Sequence, residues 1–235
     1  MGKGLNHFQA TRLDFCYLHG HYARTGLFKN CQQTREGFIM IRTLAFSALI
    51  FVFSFQTWAA ETVSLSGSGV RFSTITEYVA NSKSNKMALT GVAMRSKFLV
   101  NVYAIASYVQ EGTKPKSPDE IINADIYKQL NLVMERQVDG REMASSFKAS
   151  VLLNHKEEEF PEELTLLYNL FKEIKVVKGD QVKLTHLPGI GIHCQVVDKI
   201  EVTIKSVAFS KAIWEIYFGK NNLGDGIKKS LLSKS

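Results

Sequence analysis

Residues 89–109 read LTGVAMRSKFLVNVYAIASYV, and this stretch decides the fold. From Phe98 onward it is rich in Val, Ile, Tyr and Phe, as is typical of a β-strand. Side chains of a strand alternate between two faces. One face is small and apolar, as for packing: Phe98, Val100, Val102, Ala104 and Ala106. If the strand is already extended at Arg95, the opposite face carries mostly donors: Arg95, Lys97, Asn101, Tyr103 and Ser107.

This second face has two interpretations. Donors separated by the apolar spacers Leu99 and Ile105 suit the wall of a ligand cleft. An ordinary half-solvated strand, with its Arg and Lys in water, gives the same pattern, because antiparallel sheets commonly expose one face.

The charge of the chain argues against a nucleic-acid partner. The 235 residues carry a formal net charge of +7 and are 45% hydrophobic, which is ample for a core. Much of the excess charge lies in residues 1–60, and the basic residues after Glu61 form no run. Nucleic-acid binders instead cluster their basic residues and interleave them with aromatic ones.

Residues 40–60 resemble a secretory signal peptide. A short positive start, MIRT, precedes the apolar run LAFSALIFVFSF and small residues at the end. Cleavage is expected near Ala59 or Ala60, which predicts a periplasmic or secreted protein whose membrane contact is limited to this segment. The apolar run is short for a spanning helix, although an uncleaved anchor or a buried helix remains an alternative. Residues 1–39 are then a gene-model extension or a disordered leader.

The order of predicted elements after residue 60 indicates a single α+β domain, residues 61–235. Strands lead to a capped helix at Asp139, with Glu142 at the capping-box position. A helix from Pro161 to about Ile174, a three-strand meander and a helix from Val207 to Phe218 capped by Gly219 follow. Without βαβ alternation, this order predicts a large antiparallel sheet covered by a layer of helices.

Several short motifs resemble the chalcone isomerase-like family. They are Gly91-x-x-x-Arg95, the strand ending YAIASYV, the segment RQVDG with its helix, the turn LPG, and residues 209–219 with the closing KKSLL. The resemblance implies an open-faced β-sandwich with a cleft between sheet and helices. It places Arg95 at the position that holds an anionic oxygen of the ligand.

The family's other catalytic positions are replaced in this chain. Its catalytic Thr falls at Tyr103, its catalytic Tyr near Met143, a further Thr near Ile216, and its Asn near Ser150. Residues that act as a unit fail together, so the resemblance favours a non-catalytic binder of a small anionic amphiphile such as a fatty acid. The ligand-binding residues expected are Arg95, Tyr103, Asn101, Met143, Phe147 and Ile216.

Two other functions stay open at this point. One is a cofactor-independent isomerase or intramolecular lyase that acts on an unknown substrate. The other is a structural or partner-binding envelope protein, in which an internal carboxylate would satisfy Arg95. No cofactor is expected, and no metal site either, because the neighbours His193 and Cys194 point to opposite faces of a strand.

Overall fold

The computed structural model of the protein describes residues 61–80 and 82–234. The predicted leader, residues 1–39, and the predicted signal peptide, residues 40–60, lie outside this part. Within the described residues, no helix is both long enough and apolar enough to cross a membrane.

The described chain contains strands and helices in a mixed order. The strands are β1 (Thr62–Ser64), β2 (Arg71–Ser73), β3 (Ile75–Ala80), β4 (Lys83–Lys97), β5 (Val100–Gln110), β6 (Lys128–Met134), β7 (Val138–Asp139), β8 (Lys175–Val176), β9 (Gln181–Leu187), β10 (Gly191–Val196) and β11 (Ile200–Ile204). The helices are α1 (Pro118–Asn123), α2 (Gly140–Val151), α3 (Pro161–Phe171), α4 (Val207–Phe218) and α5 (Asp225–Leu231), with a 3₁₀ turn at Glu157–Glu159.

A seven-stranded antiparallel sheet forms the centre of the fold. Its strand order is β11-β10-β9-β6-β5-β4-β3. The main hydrophobic core joins one face of this sheet to the helices, whereas a smaller cluster joins the other face to the β1–β2 hairpin. The predicted α+β fold, a large antiparallel sheet with a helical layer, is confirmed.

The prediction of one strand running through Phe98 is wrong. β4 ends at Lys97, β5 starts at Val100, and Phe98 and Leu99 form the turn between them with φ of 50° and 66°. Phe98 and Val100 are therefore exposed rather than packed. Arg95 and Tyr103 still share a face, because the hairpin register pairs them directly.

The helix ends follow the sequence closely, with a few corrections. α4 has the predicted bounds, and α3 ends at Phe171 rather than near Ile174. Asp139 caps α2 as predicted, accepting a hydrogen bond from the Arg141 amide at 2.9 Å. Glu142 does not complete a capping box with it but pairs with Arg136. Gly219 caps α4 without a left-handed backbone, with φ of −69°.

The C-terminal helix α5 packs directly on the backbone of β4. A Cβ added at Gly91 would lie 2.1 Å from the Ser230 carbonyl oxygen, so only glycine fits. The neighbouring Thr90 hydroxyl donates to the Leu231 carbonyl at 2.8 Å, and the Lys234 amide donates to the Thr90 carbonyl at 2.8 Å. The pairing of β4 with β5 shifts register here.

Candidate functional site

A cavity of about 280 Å³ opens at one end of the sheet, where β4 and β5 meet α2 and α4. Its polar lining residues are Arg95, Lys97, Tyr103, Arg136, Glu142, Ser146, Ser150 and Tyr217. Its other lining residues are Val102, Val138, Met143, Phe147, Ala149, Leu153, Ile216 and Leu223. The cavity combines an apolar wall with a few polar groups, as ligand pockets do.

Five of the six predicted ligand-binding residues line this cavity: Arg95, Tyr103, Met143, Phe147 and Ile216. Asn101 is placed elsewhere. Its side-chain oxygen accepts from the Ser96 hydroxyl at 2.8 Å, and its amide donates to the Gly67 carbonyl at 3.4 Å. The register shift between Arg95 and Ser96 pairs Asn101 with Ser96.

Local structure explains how these side chains meet. The antiparallel register sets Arg95 opposite Tyr103 on the face that packs against the helices. Met143 and Phe147 are four residues apart on α2 and therefore lie on one helical face. Phe147 is fixed by stacking on Phe171, with ring centroids 5.6 Å apart. Ile216, on α4, lines the same cavity.

The Arg95 guanidinium is available to an anion. Its Nη1 donates to the Ser96 carbonyl at 3.1 Å. Among residues 61–80 and 82–234, no carboxylate forms an ion pair with Arg95, so the internal partner considered above is not found there. The carboxylate in the cavity, Glu142, is 3.2 Å from Arg136 Nη2 and is thereby engaged. Arg95 and Lys97 leave the cavity mouth with a positive charge.

Two buried tyrosines lie near Arg95. The hydroxyls of Tyr103 and Tyr217 are 3.0 Å apart. Burial raises the pKa of Tyr103, although the hydrogen bond to Tyr217 and the charge of Arg95 oppose this increase. Burial and then Tyr103 raise the pKa of Tyr217 well above its usual value, against the charge of Arg95. Both phenols are therefore neutral at neutral pH, and one O–H of the pair remains free to donate.

Sequence reasoning missed Tyr217 and Arg136 as cavity residues. Tyr217 follows the apolar period of α4, so nothing separates it from an ordinary core residue. Arg136 lies in the short link between β6 and β7, where its direction cannot be read from periodicity.

A second polar cluster lies between the α1 loop and α4, with His186 and Ser210 buried and Asp125 exposed. His186 Nδ1 lies 2.7 Å from Ser210 Oγ, and His186 Nε2 lies 2.9 Å from Asp125 Oδ1. This order imitates a hydrolase triad, but Ser210 is fully buried, so no substrate reaches its hydroxyl. Burial, as the largest influence, lowers the pKa of His186. The cluster ties the α1 loop to α4.

Lys128 is part of the same interior. It is fully buried, and its Nζ donates to three carbonyls at the end of α1, those of Ile121 at 2.6 Å, Ile122 at 2.8 Å and Ala124 at 2.9 Å. Helix ends leave such carbonyls without partners, so Lys128 caps α1 from within the core. Its pKa is lowered to about 7, first by burial and then by the charge of Lys211, while Asp125 raises it.

No metal site accompanies the cavity in the part of the chain that the structure describes, since no three His, Cys, Asp or Glu side chains converge there. Cys194 is a buried free thiol, and burial raises its pKa to about 12.

Comparisons with known proteins agree with this architecture. A fatty-acid binding protein from Arabidopsis thaliana has a similar fold, with a TM-score of 0.58 and 20% sequence identity over 73% of this chain and 96% of its own. No curated protein matches this sequence significantly. The sequence model described as chalcone isomerase-like matches residues 67–233. This chain belongs to the chalcone isomerase-like family.

Proposed function

We propose that this protein binds a small anionic amphiphile, such as a fatty acid, without transforming it. The carboxylate would lie against Arg95 and the hydroxyls of Tyr103 and Tyr217. The hydrocarbon chain would extend along Met143, Phe147 and the other apolar residues of the cavity.

The observation that carries this proposal is Arg95, a cavity cation without a carboxylate partner among the described residues. A guanidinium matches the two oxygens of a carboxylate with parallel hydrogen bonds. Placing it next to an apolar wall, instead of in open water, strengthens such an interaction, because the local dielectric is lower.

The cavity also fits the rest of such a ligand. Its volume of about 280 Å³ lies near the lower end for small-molecule pockets, which suits one chain rather than a two-chain lipid. The fatty-acid ligand named for the similar Arabidopsis protein has this chemistry. The fold likeness alone does not carry the ligand over, and the proposal rests on the residues of this cavity.

The tyrosine pair favours binding over catalysis. With raised pKa values, Tyr103 and Tyr217 donate hydrogen bonds at neutral pH and do not abstract protons. Met143 stands near the position of the family's catalytic tyrosine, and a thioether can neither transfer a proton nor orient a water strongly.

We also propose that the protein works outside the cytoplasm. The support is the sequence of residues 40–60, with its positive start, apolar run and small residues before Glu61. Fractionation of cells that express the chain, with N-terminal sequencing of the product, tests this: an intact protein in the cytoplasm would refute it.

The binding proposal is tested by titration calorimetry with dodecanoate on delipidated protein. Arg95→Ala should weaken binding about tenfold to hundredfold, which is the range for losing a charged hydrogen-bonding partner. The affinity of Arg95→Lys for dodecanoate should lie between those of the wild type and Arg95→Ala, because lysine keeps the charge but not the paired donors. Dodecyltrimethylammonium, with the same tail and a cationic head, should bind far more weakly than dodecanoate.

The matched control is Arg141→Ala, which removes an exposed arginine of α2 outside the cavity. Its affinity should equal that of the wild type. The proposal fails if folded Arg95→Ala binds dodecanoate as the wild type does, or if the wild type converts a bound compound to a product.

A further inference from the structure

The β4–β5 turn, defined as Lys97 to Val100, carries the two most exposed large apolar side chains of the described protein. Phe98 is 89% exposed, Leu99 102% and Val100 53%. Phe98 and Leu99 bury almost no surface against the described protein. Lys97 stands over the ring of Phe98, with Nζ 5.8 Å from its centroid.

The backbone of this turn is unfavourable for these residues. Phe98 and Leu99 have φ of 50° and 66°, the conformation of a two-residue hairpin loop that favours Asn-Gly. A bulky side chain in this region is a genuine outlier. Strain of this kind persists mostly at functional positions, and the exposure of both side chains shows that internal packing does not require them.

The position of the turn supplies the partner's chemistry. Arg95 lies two residues before the turn and Lys97 is its first residue, and both line the cavity. The hairpin has two apolar side chains at its tip and two cationic side chains behind them. This arrangement fits the interface of an anionic bilayer, where acyl chains meet negative headgroups. A second copy of this chain fits less well, because joining two such tips would bring their cations together.

We propose that the β4–β5 turn docks on an anionic lipid bilayer, with Phe98 and Leu99 inserted at the acyl boundary and Lys97 among the headgroups. This goes beyond the expectation that the membrane is contacted only through residues 40–60. Its apolar residues, Phe98 and Leu99, lie outside the cavity lining, so the proposal does not depend on what the cavity binds.

The test is co-sedimentation with sucrose-loaded vesicles, made either of phosphatidylcholine or of an equimolar mixture with phosphatidylglycerol. The wild type, expressed as the full chain, should bind the anionic vesicles. The double variant Phe98→Asn, Leu99→Gly keeps the turn geometry and should lower the partition coefficient about 100-fold, through lost apolar burial. Lys97→Ala should lower it about fivefold on anionic vesicles only.

The matched control is Ile190→Asn, which removes another half-exposed apolar residue from the β9–β10 turn. The strand register places this turn at the opposite end of the sheet from the β4–β5 turn. Ile190→Asn should therefore bind vesicles as the wild type does. A second readout is the tryptophan fluorescence of the variant Leu99→Trp, whose emission maximum should shift to shorter wavelength when anionic vesicles are added.

Three results would overturn the proposal. The first is a wild type that stays in the supernatant when the anionic vesicles sediment. The second is a double variant that binds the vesicles as the wild type does. The third is a concentration-dependent dimer of the wild type that the double variant does not form. Because the double variant leaves the cavity intact, its affinity for dodecanoate should be unchanged. Failure of docking is therefore distinguishable from failure of the binding proposal.

Discussion

Replacing Phe98 by Asn and Leu99 by Gly should raise the free energy of unfolding, although both substitutions remove apolar side chains. A left-handed backbone costs an ordinary L-residue about 1–2 kcal/mol, and two such residues are strained here. Relief of this strain stabilises the folded state. The stabilisation is offset by about 0.5–1 kcal/mol for the extra freedom of glycine in the unfolded chain. It is further offset by about 0.5 kcal/mol for the lost contact of Lys97 with the Phe98 ring.

The net stabilisation expected is about 1–2 kcal/mol, because the exposure of both side chains means that hardly any hydrophobic burial is lost. For a domain of this size, each kcal/mol raises the melting temperature by about 2–4 °C. Urea unfolding followed by far-UV circular dichroism measures the free energy directly, and the slope of the transition should not change.

The control is Asp198→Gly, at the β10–β11 turn, where φ is 60°. Aspartate tolerates this conformation far better than Phe or Leu, so stability should change little. The reasoning is refuted if the double variant is no more stable than the wild type, since the turn would then store no strain. A stabilised variant that loses vesicle binding would separate the docking role from any role in folding.

Three further changes test the packing and the pH response. Gly91→Ala should cost about 3 kcal/mol in urea unfolding, because an added methyl overlaps the backbone of α5. Lys128→Met should also cost about 3 kcal/mol by the same measurement, because three carbonyls at the end of α1 lose their hydrogen-bond donor. Burial lowers the pKa of His155, but its hydrogen bonds to Glu159 and Glu215 outweigh burial and raise it overall. Its stabilising effect should therefore be full below the unfolded pKa near 6.5 and disappear as pH rises through the folded pKa. The urea midpoint of His155→Gln should fall below that of the wild type at low pH and approach it at high pH.

Each of these changes has its own control. Gly69→Ala places a methyl where no atom lies within 4 Å and should be nearly neutral, in contrast to Gly91→Ala. Lys211→Met removes a nearby lysine that is only partly buried and should cost much less than Lys128→Met. A His155→Gln deficit that stays constant with pH would contradict the assigned ion pairs.

The fold was largely predictable because its periodic signals are strong. The apolar period of α4 gave both ends of the helix, and alternation with tight turns gave the meander of β9 to β11. The Phe98–Leu99 turn was missed for a physical reason: both residues favour strands, and neither Gly nor Asn marks the reversal.

The site was only partly predictable. Arg95 and Tyr103 were expected together on one face of a single strand, and they do share a face, but through the pairing of two strands. Asn101 shows the limit of this reasoning, because the register shift beside Arg95 cannot be read from alternation. Lys128 looks like a solvated position of a strand, and its burial follows from the approach of α1, which is a tertiary contact.

The contact of β4 with α5 also has a consequence for the order in which the protein is made. The Thr90 hydroxyl and the Leu231 carbonyl that it bonds are 141 residues apart in sequence. The backbone of β4 beside Gly91 is therefore covered only after α5 has been synthesised, so a ribosome-bound chain that stops short of α5 cannot complete this core. Contacts of such long range also form late and slowly in folding. For a chain that carries the export signal proposed here, this part of the core would still be incomplete until translation has passed α5.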